Sequence, residues 1–540
     1  MRIRTVGIIG LGTMGAGIAE VFARSGYPVT AVEVDPEALV KGIATLDASL
    51  GKAVTKGRLT EDERAEIIAR VTAGAKLPDL SEVDLVIEVV PEQLAIKRKV
   101  LAELDHICRP DAIIATNTSS LSVTAIAGGS EHPGRVVGMH FFNPAPVMRL
   151  VEVVTTVLTD HDVAAAVTDL AGRLGKTPVQ VTDRAGFVAN ALLLPYLNHA
   201  VRLLETGYAS RDDIELAATE GIGLPMGPLT LLDLIGLDTS LAILEVLERE
   251  FGGTRYTPSP LLRRMTDAGR VGRKSGSGFF DYQSKPSTGG NSPDFPNVNQ
   301  PRAPGTVTLI DPSVPAGDGS GDRSADLASM LAAAGINVTR NPAHSTELAL
   351  VAIGPKGGVL GPAMAASRAA DAVGLHLAVH APRSDIRKAG YPKSDYRISG
   401  SAGFAELAPS TLTSPAAVDA ARAVAAKLGL RTVVTADRPG LLVGALLYPH
   451  LSDAVAMVAD GYATPGDVDA AMTLGCGYPR GPMRMLAEAG LAQVADVLAA
   501  MYAAYGDPAF LPPPLLTDFA RAGLPLDGAG QHARHRTARA

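Results

Sequence analysis

The residues from 136 to 154 contain the two side chains with the clearest chemical potential. The stretch reads VVGMHFFNPAPVMRLVEVV, with His140 at the end of one apolar run and Glu152 inside the next. Such runs are typical of buried strands, and a carboxylate inside one is costly to bury without a partner. We expect His140 to be that partner. A histidine held by a carboxylate at one ring nitrogen keeps the other free as a general base near neutral pH.

A second interpretation of this stretch is a buried ion pair that only joins two strands. Structural pairs perturb pKa values as catalytic pairs do, so the stretch alone favours neither interpretation. The remainder of the chain has to decide between a catalytic and a purely structural pair.

Length and composition narrow the possible classes of protein. A chain of 540 residues predicts roughly three or four domains, and 46% hydrophobic residues suffice for several cores. The net charge of −7 provides no basic surface for nucleic acid. We find no run of about 18 apolar residues, no signal-peptide pattern, and no disulfide or metal spacing in Cys108 and Cys476. These features predict a cytoplasmic protein without a metal or a membrane partner.

A glycine-rich turn near the N-terminus predicts a dinucleotide site. It follows an apolar strand at 4–9, precedes a helical pattern and a strand at 29–34, and consists of Gly10, Leu11, Gly12, Thr13, Met14 and Gly15. In this context GxGxxG lets a pyrophosphate approach a helix N-terminus. Glu33 is placed to accept the ribose 2′-hydroxyl and to repel a 2′-phosphate, which favours NAD over NADP. The alternatives are glycines that serve only a tight turn, and Asp35 in the role of Glu33.

Two further regions of the first half carry polar residues of interest. Residues 37–73 read as one or two helices, with Ser49, Lys52 and Lys56 on one face that is ordinarily a solvated one. A strand at 113–116 ends in Asn117-Thr118-Ser119-Ser120, where polar residues lie over a cofactor crevice or serve as turn and cap residues.

The pattern becomes helical after residue 183 and then starts again. Asn190 lies near the start of an apolar-faced helix at 186–208, so its amide needs partners in the protein or in a ligand. The fold class expected is an α/β Rossmann-type domain followed by an all-α domain, with the pair repeated in degenerate form. The predicted segments are a Rossmann domain, a helical domain, a linker, a degenerate Rossmann-like domain, a second helical domain and a tail: 1–183, 184–282, 283–304, 305–436, 437–525 and 526–540.

The repeat is visible as an ungapped match 254 residues apart. Asp183-Arg184-Ala185-Gly186-Phe187 aligns with Asp437-Arg438-Pro439-Gly440-Leu441, and Pro195 aligns with Pro449. At this shift Glu152 meets Glu406. The other candidate residues do not match, since His140 meets Ser394, Asn190 meets Gly444 and Ser119 meets Val373. Because the second half also lacks GxGxxG, we expect it to have kept a scaffold and lost the chemistry.

The motifs GLGTMG, NTSS, HFFNP, RLVEVV and GLPMGPLTLLDLIGLD occur in order across residues 1–282. In this respect the chain resembles the L-3-hydroxyacyl-CoA dehydrogenase family, in its duplicated form. The resemblance implies His140 as base, Glu152 as the residue that orients it, and Ser119 and Asn190 at the substrate's oxygens. It implies NAD contacts from Glu33, Glu92, Lys97, Ser119, Asn143 and Lys274. For the CoA moiety it implies Ser49, Lys56 and Ser119.

The activity implied by the resemblance is NAD-dependent oxidation of (3S)-3-hydroxyacyl-CoA to 3-oxoacyl-CoA, as in β-oxidation. A 3-hydroxybutyryl group is the expected acyl chain, and a 3-hydroxyadipyl group, as in phenylacetate catabolism, is the alternative. Since helical domains of the family pair between subunits, we expect 184–282 and 437–525 to form an intrachain pseudo-dimer, with one active site, one NAD and possible further oligomerisation.

Two rival functions remain. A β-hydroxyacid dehydrogenase would place a lysine on the substrate-domain helix, but that helix has Asn190 and the next lysine is Lys274. A non-catalytic NAD- or acyl-CoA-binding protein would not need Ser119, His140, Glu152 and Asn190 together. The presence of all four favours an enzyme.

Overall fold

The computed structural model describes residues 3–74, 76–283, 303–310, 320–340, 348–353, 355, 370–378 and 403–526. The expected linker and the C-terminal tail therefore lie almost wholly outside the described residues. The first part of the chain alternates strands and helices, in the order β1 Val6–Ile9, α1 Thr13–Arg24, β2 Val29–Val32, α2 Pro36–Thr55, α3 Glu61–Ala69, β3 Val71–Gly74, β4 Leu85–Glu88, α4 Leu94–Ile107, β5 Ile113–Thr116, α5 Val123–Ala127, β6 Val136–Phe141, β7 Leu150–Thr155, α6 His161–Arg173 and β8 Thr177–Thr182.

These strands form one eight-stranded sheet in the order β3-β2-β1-β4-β5-β6-β7-β8. Every neighbouring pair is parallel except β6 and β7, which run antiparallel. The central strands are fully buried, as the Val- and Ile-rich runs predict for a sheet covered by helices on both faces. We expected only helices over residues 37–73. This is wrong at the C-terminal end of the segment, where residues 71–74 pair with β2 as an edge strand.

Residues 189 to 267 form the first helical domain, with its helices at α7 Ala189–Glu205, α8 Arg211–Leu216, α9 Pro228–Ile235, α10 Leu237–Phe251 and α11 Pro260–Asp267. Ser210 caps α8 as predicted, since its side chain accepts a hydrogen bond from Asp213 N at 3.1 Å. A wide turn of π-helical geometry, residues 217–222, follows α8.

A second sheet and a second helical domain occupy the rest of the chain. Their elements are β9 Thr306–Ile310, α12 Ser320–Ala333, β10 Asn337–Thr339, β11 Ala349–Ala352, β12 Ala372–Ala378, β13 Gly403–Pro409, α13 Pro415–Lys427, β14 Leu430–Val434, α14 Val443–Ala459, α15 Pro465–Ala470, α16 Pro482–Ala489, α17 Leu491–Tyr505 and α18 Pro514–Ala522. The sheet order is β10-β9-β11-β12-β13-β14, and β12 and β13 are again its antiparallel pair.

Strand register corrects the expected correspondence between the two halves. β6 and β7 place His140 opposite Glu152, and β12 and β13 place His376 opposite Glu406. The counterpart of His140 is therefore His376 and not Ser394, which lies outside the described residues. The ungapped comparison missed this because twelve residues separate the first pair and thirty separate the second.

The two helical domains share one apolar core. Helix α7 packs against α14, where the rings of Tyr196 and His450 lie 5.2 Å apart. Arg255 forms an ion pair with Asp453 across the same contact. Among the described helices, none alone is long and apolar enough to cross a membrane, and α16 and α17 meet that test only as a pair bent by 92°.

Candidate active site

The expected pairing of His140 with Glu152 is confirmed. The antiparallel register of β6 and β7 brings the two residues opposite each other, and His140 Nδ1 lies 2.7 Å from Glu152 Oε2. Glu152 is fully buried and His140 is only 4% exposed. The carboxylate therefore holds one ring nitrogen and sets the orientation of the imidazole.

The second oxygen of Glu152 connects the sheet to the first helical domain. Oε1 accepts hydrogen bonds from Val188 N and Ala189 N, both at 3.0 Å. These are backbone donors at the start of α7, which lack partners within the helix. Phe187, just before them, has a left-handed φ of 48°. Three hydrogen bonds thus satisfy a buried carboxylate that would otherwise be costly to bury.

Two aromatic rings flank the imidazole of His140. Its centroid lies 4.5 Å from that of Phe142 and 5.6 Å from that of Phe187. Since Nδ1 is taken by Glu152, Nε2 is the nitrogen available for a substrate proton. A carboxylate thus orients the ring in a largely apolar setting, an arrangement that can support proton transfer.

Glu92 organises the polar turn that follows β5. Its Oε1 accepts from Thr118 Oγ1 at 2.6 Å, Ser119 N at 2.8 Å and Ser120 N at 3.1 Å. Burial acts to raise the pKa of Glu92, but the charge of Lys97 and these hydrogen bonds together hold that pKa below its ordinary value. The carboxylate therefore stays charged and fixes the NTSS turn, so the turn interpretation of these residues is confirmed.

Lys97 lies beneath this turn in a buried ion-pair network. Its Nζ is 2.9 Å from Glu88 Oε1 and 3.3 Å from Glu92 Oε2, and the side chain is 1% exposed. Glu88 also accepts from Thr116 Oγ1 at 2.8 Å. Lys97 and Glu92 thus shape the strand ends rather than presenting free charges.

Asparagine side chains lie between the NTSS turn and the segments that carry His140 and Glu152. Asn117 Oδ1 accepts from Phe141 N at 2.8 Å, next to His140 in β6. Asn190 Nδ2 donates to Ser119 O at 3.4 Å, and Asn190 follows Ala189, whose N–H binds Glu152. The predicted quartet of Ser119, His140, Glu152 and Asn190 is therefore brought together by hydrogen bonds and by the backbone between Ala189 and Asn190.

The glycine turn between β1 and α1 has the geometry of a dinucleotide cradle. Gly10 has a φ of +90°, and a Cβ there would lie 2.8 Å from Val89 O. A Cβ on Gly15 would lie 1.8 Å from Gly10 O, so only glycine permits this packing of α1 on β1. Gly12 faces open space, and α1 carries no acidic residue in its first turn. The free N–H groups there suit a pyrophosphate.

Glu33 lies directly beyond β2 and points back to this turn. Its Oε2 accepts from Leu11 N at 3.0 Å and its Oε1 from Val34 N at 2.9 Å. Asp35, the alternative to Glu33, serves another purpose: its carboxylate caps α2 by accepting from Glu37 N at 3.0 Å. The described geometry favours Glu33 as the acid at the cofactor cradle.

Four other predicted residues lie outside this network. Lys274 forms an ion pair with Asp238 at 2.6 Å within the helical domain. Asn143 is exposed in the loop after β6, and Ser49 and Lys56 lie at the C-terminal end of α2, with Lys56 exposed. In the described part of the chain, no group of three or more His, Cys, Asp or Glu side chains could hold a metal ion.

The sequence did not reveal which groups donate hydrogen bonds to Glu152. The backbone N–H groups of Val188 and Ala189 have no side-chain signature. Glu88, the buried partner of Lys97, was missed as well. The sequence did contain a signal for it, because an acid at the end of a buried strand needs a cation such as the lysine nine residues later.

Comparison with known protein families gives matches to both domains of the first half and to the helical domain of the second half. Residues 5–184 match the family described as 3-hydroxyacyl-CoA dehydrogenase, NAD binding domain, and residues 186–282 and 440–533 match its C-terminal domain. A 3-hydroxybutyryl-CoA dehydrogenase of Mycobacterium tuberculosis is 46% identical over 282 residues, which are 52% of this chain and 99% of that protein.

Two matches from Escherichia coli, one to a sequence and one to a solved structure, extend over nearly the whole chain. A 3-hydroxyadipyl-CoA dehydrogenase is 31% identical over 521 residues, covering 96% of this chain and 97% of that protein. A crystal structure of 3-hydroxybutyryl-CoA dehydrogenase from strain K12 has a TM-score of 0.76 at 29% identity, and covers 97% of this chain and 99% of the other.

Proposed function

Because the chain belongs to the 3-hydroxyacyl-CoA dehydrogenase family and is an NAD-dependent oxidoreductase, we propose that His140 and Glu152 are its acid–base pair. The reaction is the oxidation of a 3-hydroxyacyl-CoA to a 3-oxoacyl-CoA. The observation that carries the proposal is the 2.7 Å contact between His140 Nδ1 and a fully buried Glu152.

In the proposed mechanism, His140 Nε2 removes the proton of the 3-hydroxyl group. NAD, when bound, accepts the hydride from C3. Glu152 stabilises the imidazolium that forms, and its two backbone hydrogen bonds keep it from moving as that charge appears. In the reverse direction His140 donates the proton.

Ser119 and Asn190 are proposed to contact the 3-oxygen and the thioester region of the substrate. Their support is the bond between Asn190 Nδ2 and Ser119 O, together with the link from Ala189 to Glu152. In this proposal both polar groups contact the oxygen that His140 also reaches, which suits a site that orients a single hydroxyl.

The residues proposed around NAD fall into three groups. The turn residues Gly10, Gly12, Thr13, Met14 and Gly15 would hold the pyrophosphate, and Glu33 the adenosine ribose. Glu92 and Lys97 would shape the cofactor side of the NTSS turn. Contacts from Asn143 and Lys274 to NAD, and from Ser49 and Lys56 to the CoA moiety, stay predictions from family resemblance.

Two acyl groups are candidates for the physiological substrate. The M. tuberculosis relative supports a 3-hydroxybutyryl group, whereas the E. coli relative that aligns with 96% of this chain supports a 3-hydroxyadipyl group. We favour the shorter chain for the reaction at the first site. The place in β-oxidation and the cytoplasmic location stay predictions.

Initial rates of NADH formation with the (3S)-hydroxybutyryl, hydroxyhexanoyl and hydroxyadipyl thioesters of CoA test this. We expect kcat/KM to be highest for the hydroxybutyryl thioester. A preference of tenfold or more for the adipyl thioester (about 1.4 kcal/mol) would assign the dicarboxylic substrate. If none of the three thioesters gives NADH, the proposed function is wrong.

We also propose that the two helical domains form an intrachain pseudo-dimer. The packing of α7 on α14 and the Arg255–Asp453 ion pair support this. The counterpart of Asp453 in the first domain is His199, so a homodimer of that domain would bring Arg255 toward a histidine instead of a carboxylate. A chain ending at Tyr282 would expose an apolar face and should therefore dimerise or aggregate, which light scattering measures. A soluble, fully active monomer would contradict the pseudo-dimer.

The second α/β unit is proposed to be degenerate in cofactor binding. Its loop after β9, DPSVPAGDGSGD, lacks the GxGxxG spacing that admits a pyrophosphate and lies mostly outside the described residues. We therefore expect calorimetric titration to give about one NAD per chain. Two equivalent sites would show that the second unit also binds NAD.

A further inference from the structure

The second helical domain contacts the first unit directly beside the candidate acid–base pair. A Cβ on Gly475, at the end of the wide turn 471–475, would lie 2.5 Å from Leu150 Cδ2 and 3.2 Å from Phe142 Cε1. Phe142 in turn packs on the His140 ring, with centroids 4.5 Å apart. Any larger residue at 475 would therefore have to displace the side chain of Leu150, which begins β7, and press on Phe142, which flanks His140.

Further contacts hold the same surfaces together. Tyr462 Oη donates to Thr182 O, the last residue of β8, at 2.9 Å. Arg184 lies 3.4 Å from Asp460 and stacks over the Tyr462 ring at 5.1 Å. Burial, and then the charge of Glu152, raise the pKa of the Cys476 thiol next to Gly475. The second domain is thus anchored around the segment that carries Glu152.

We propose that the second helical domain completes the active centre, with Gly475 setting the place of Phe142 and Leu150 and thereby the angle at which His140 meets the substrate. Phe142 is a positioning residue in this scheme, because it acts through the imidazole it touches. The proposal rests on the assignment of His140 as the base. It gives residues 471–476 a part in positioning the base, beyond the area they bury.

The repeat supplies a matched control. Gly221 in the first helical domain is the counterpart of Gly475, and Phe404 is the counterpart of Leu150, each 254 residues away. A Cβ on Gly221 would lie 3.1 Å from Phe404 Cε1 and 2.6 Å from Val443 Cγ2. The same substitution at Gly221 therefore forces the same kind of overlap against the second unit, away from His140.

The experiment compares Gly475→Val with Gly221→Val in the full chain. A displacement of about 1 Å near the reacting groups can cost up to about 100-fold in rate. We expect Gly475→Val to lower kcat by about 10- to 100-fold and to change the pH profile of kcat, with KM for NAD unchanged. Gly221→Val should keep kcat within about threefold, a change of under 1 kcal/mol. Both should lower Tm to a similar extent.

A compensating variant separates positioning from general damage. Leu150→Ala in the Gly475→Val background removes the atom of closest contact and should restore most of kcat relative to Leu150→Ala alone. If Gly475→Val does not fold, Gly475→Ala supplies the same readouts with a smaller overlap. Equal losses in the Gly475 and Gly221 variants, or no loss at Gly475, would overturn the proposal. A wild-type chain without dehydrogenase activity would instead overturn the proposed function.

Discussion

The two α/β units contain the same strand pair with different chemistry. In both, a histidine lies opposite a glutamate in an antiparallel pair. In both, one glutamate oxygen accepts from two consecutive backbone N–H groups where the next helix begins, Glu152 from Val188 and Ala189 and Glu406 from Leu442 and Val443. The glutamate thus has a structural task that is independent of catalysis: it anchors a helical domain to a sheet.

The histidines distinguish the two pairs. His140 Nδ1 contacts Glu152 at 2.7 Å, whereas His376 Nδ1 lies 3.1 Å from Ile353 O. Burial raises the pKa of Glu406 to about 7 despite its two backbone hydrogen bonds. The two pairs thus differ in where the imidazole points, and the proposed acid–base role at Glu152 depends on an imidazole that is turned toward it.

The largest expected effect is a difference in kcat between variants of the two histidines. His140→Gln should lower kcat by about 10² to 10⁴-fold, the usual contribution of general acid–base catalysis. His376→Gln should leave kcat within about twofold, a change of under 0.5 kcal/mol, because its Nδ1 contacts a backbone carbonyl. Steady-state kinetics of both variants provide the measurement. A comparable loss from His376→Gln would mean that the second pair also takes part in the reaction.

The next effect concerns the glutamate that orients the base. Glu152→Gln keeps an oxygen for the two backbone donors but can present an amide N–H to His140 Nδ1, which favours the wrong tautomer. We expect kcat to fall by about 10²-fold with little change in KM for NAD. Glu406→Gln is the control and should retain wild-type kcat. An unchanged kcat in Glu152→Gln would remove the orienting role.

Glu406 should also make stability depend on pH. Its pKa is about 7 in the folded chain against an ordinary 4.5, so the folded state keeps a proton that the unfolded chain releases. This contribution to stability is complete below pH 4.5 and is lost as pH rises to about 7, by roughly 3 kcal/mol. Relative to wild type, Glu406→Gln should gain stability over that range in urea unfolding. If the free energy of unfolding depends on pH in the same way in the two proteins, this expectation is wrong.

The smallest expected effect is in cofactor choice at the first unit. Glu33 lies at the glycine turn, where a 2′-phosphate would meet its charge and lose a hydrogen bond to the 2′-hydroxyl. We expect kcat/KM for NAD to exceed that for NADP by at least about tenfold, as for one charged hydrogen bond. Glu33→Gln should reduce the ratio. Equal values in the wild-type chain would place Glu33 away from the ribose.

Local patterns predicted the elements that depend on neighbouring residues in the chain. The glycine turn, the strand at 113–116, the cap at Ser210 and the strand at 306–310 all occur as expected. The strand at 71–74 was missed because VTAG carries little hydrophobic signal, and its pairing with β2 at the sheet edge makes it a strand. Contacts between distant segments, such as Gly475 with Leu150, have no such local pattern.

By itself the sequence determined that His140 and Glu152 lie on adjacent strands after a dinucleotide turn, and that the helical domain occurs twice. Only the tertiary structure identified His376 as the counterpart of His140 and placed the second helical domain beside the His140–Glu152 pair. The physical reason is that hydrogen bonds across β12 and β13 set their register whatever the length of the loop between them. An ungapped sequence comparison fails where one half contains an insertion, whereas the register of an antiparallel strand pair does not depend on the length of the loop that joins the strands.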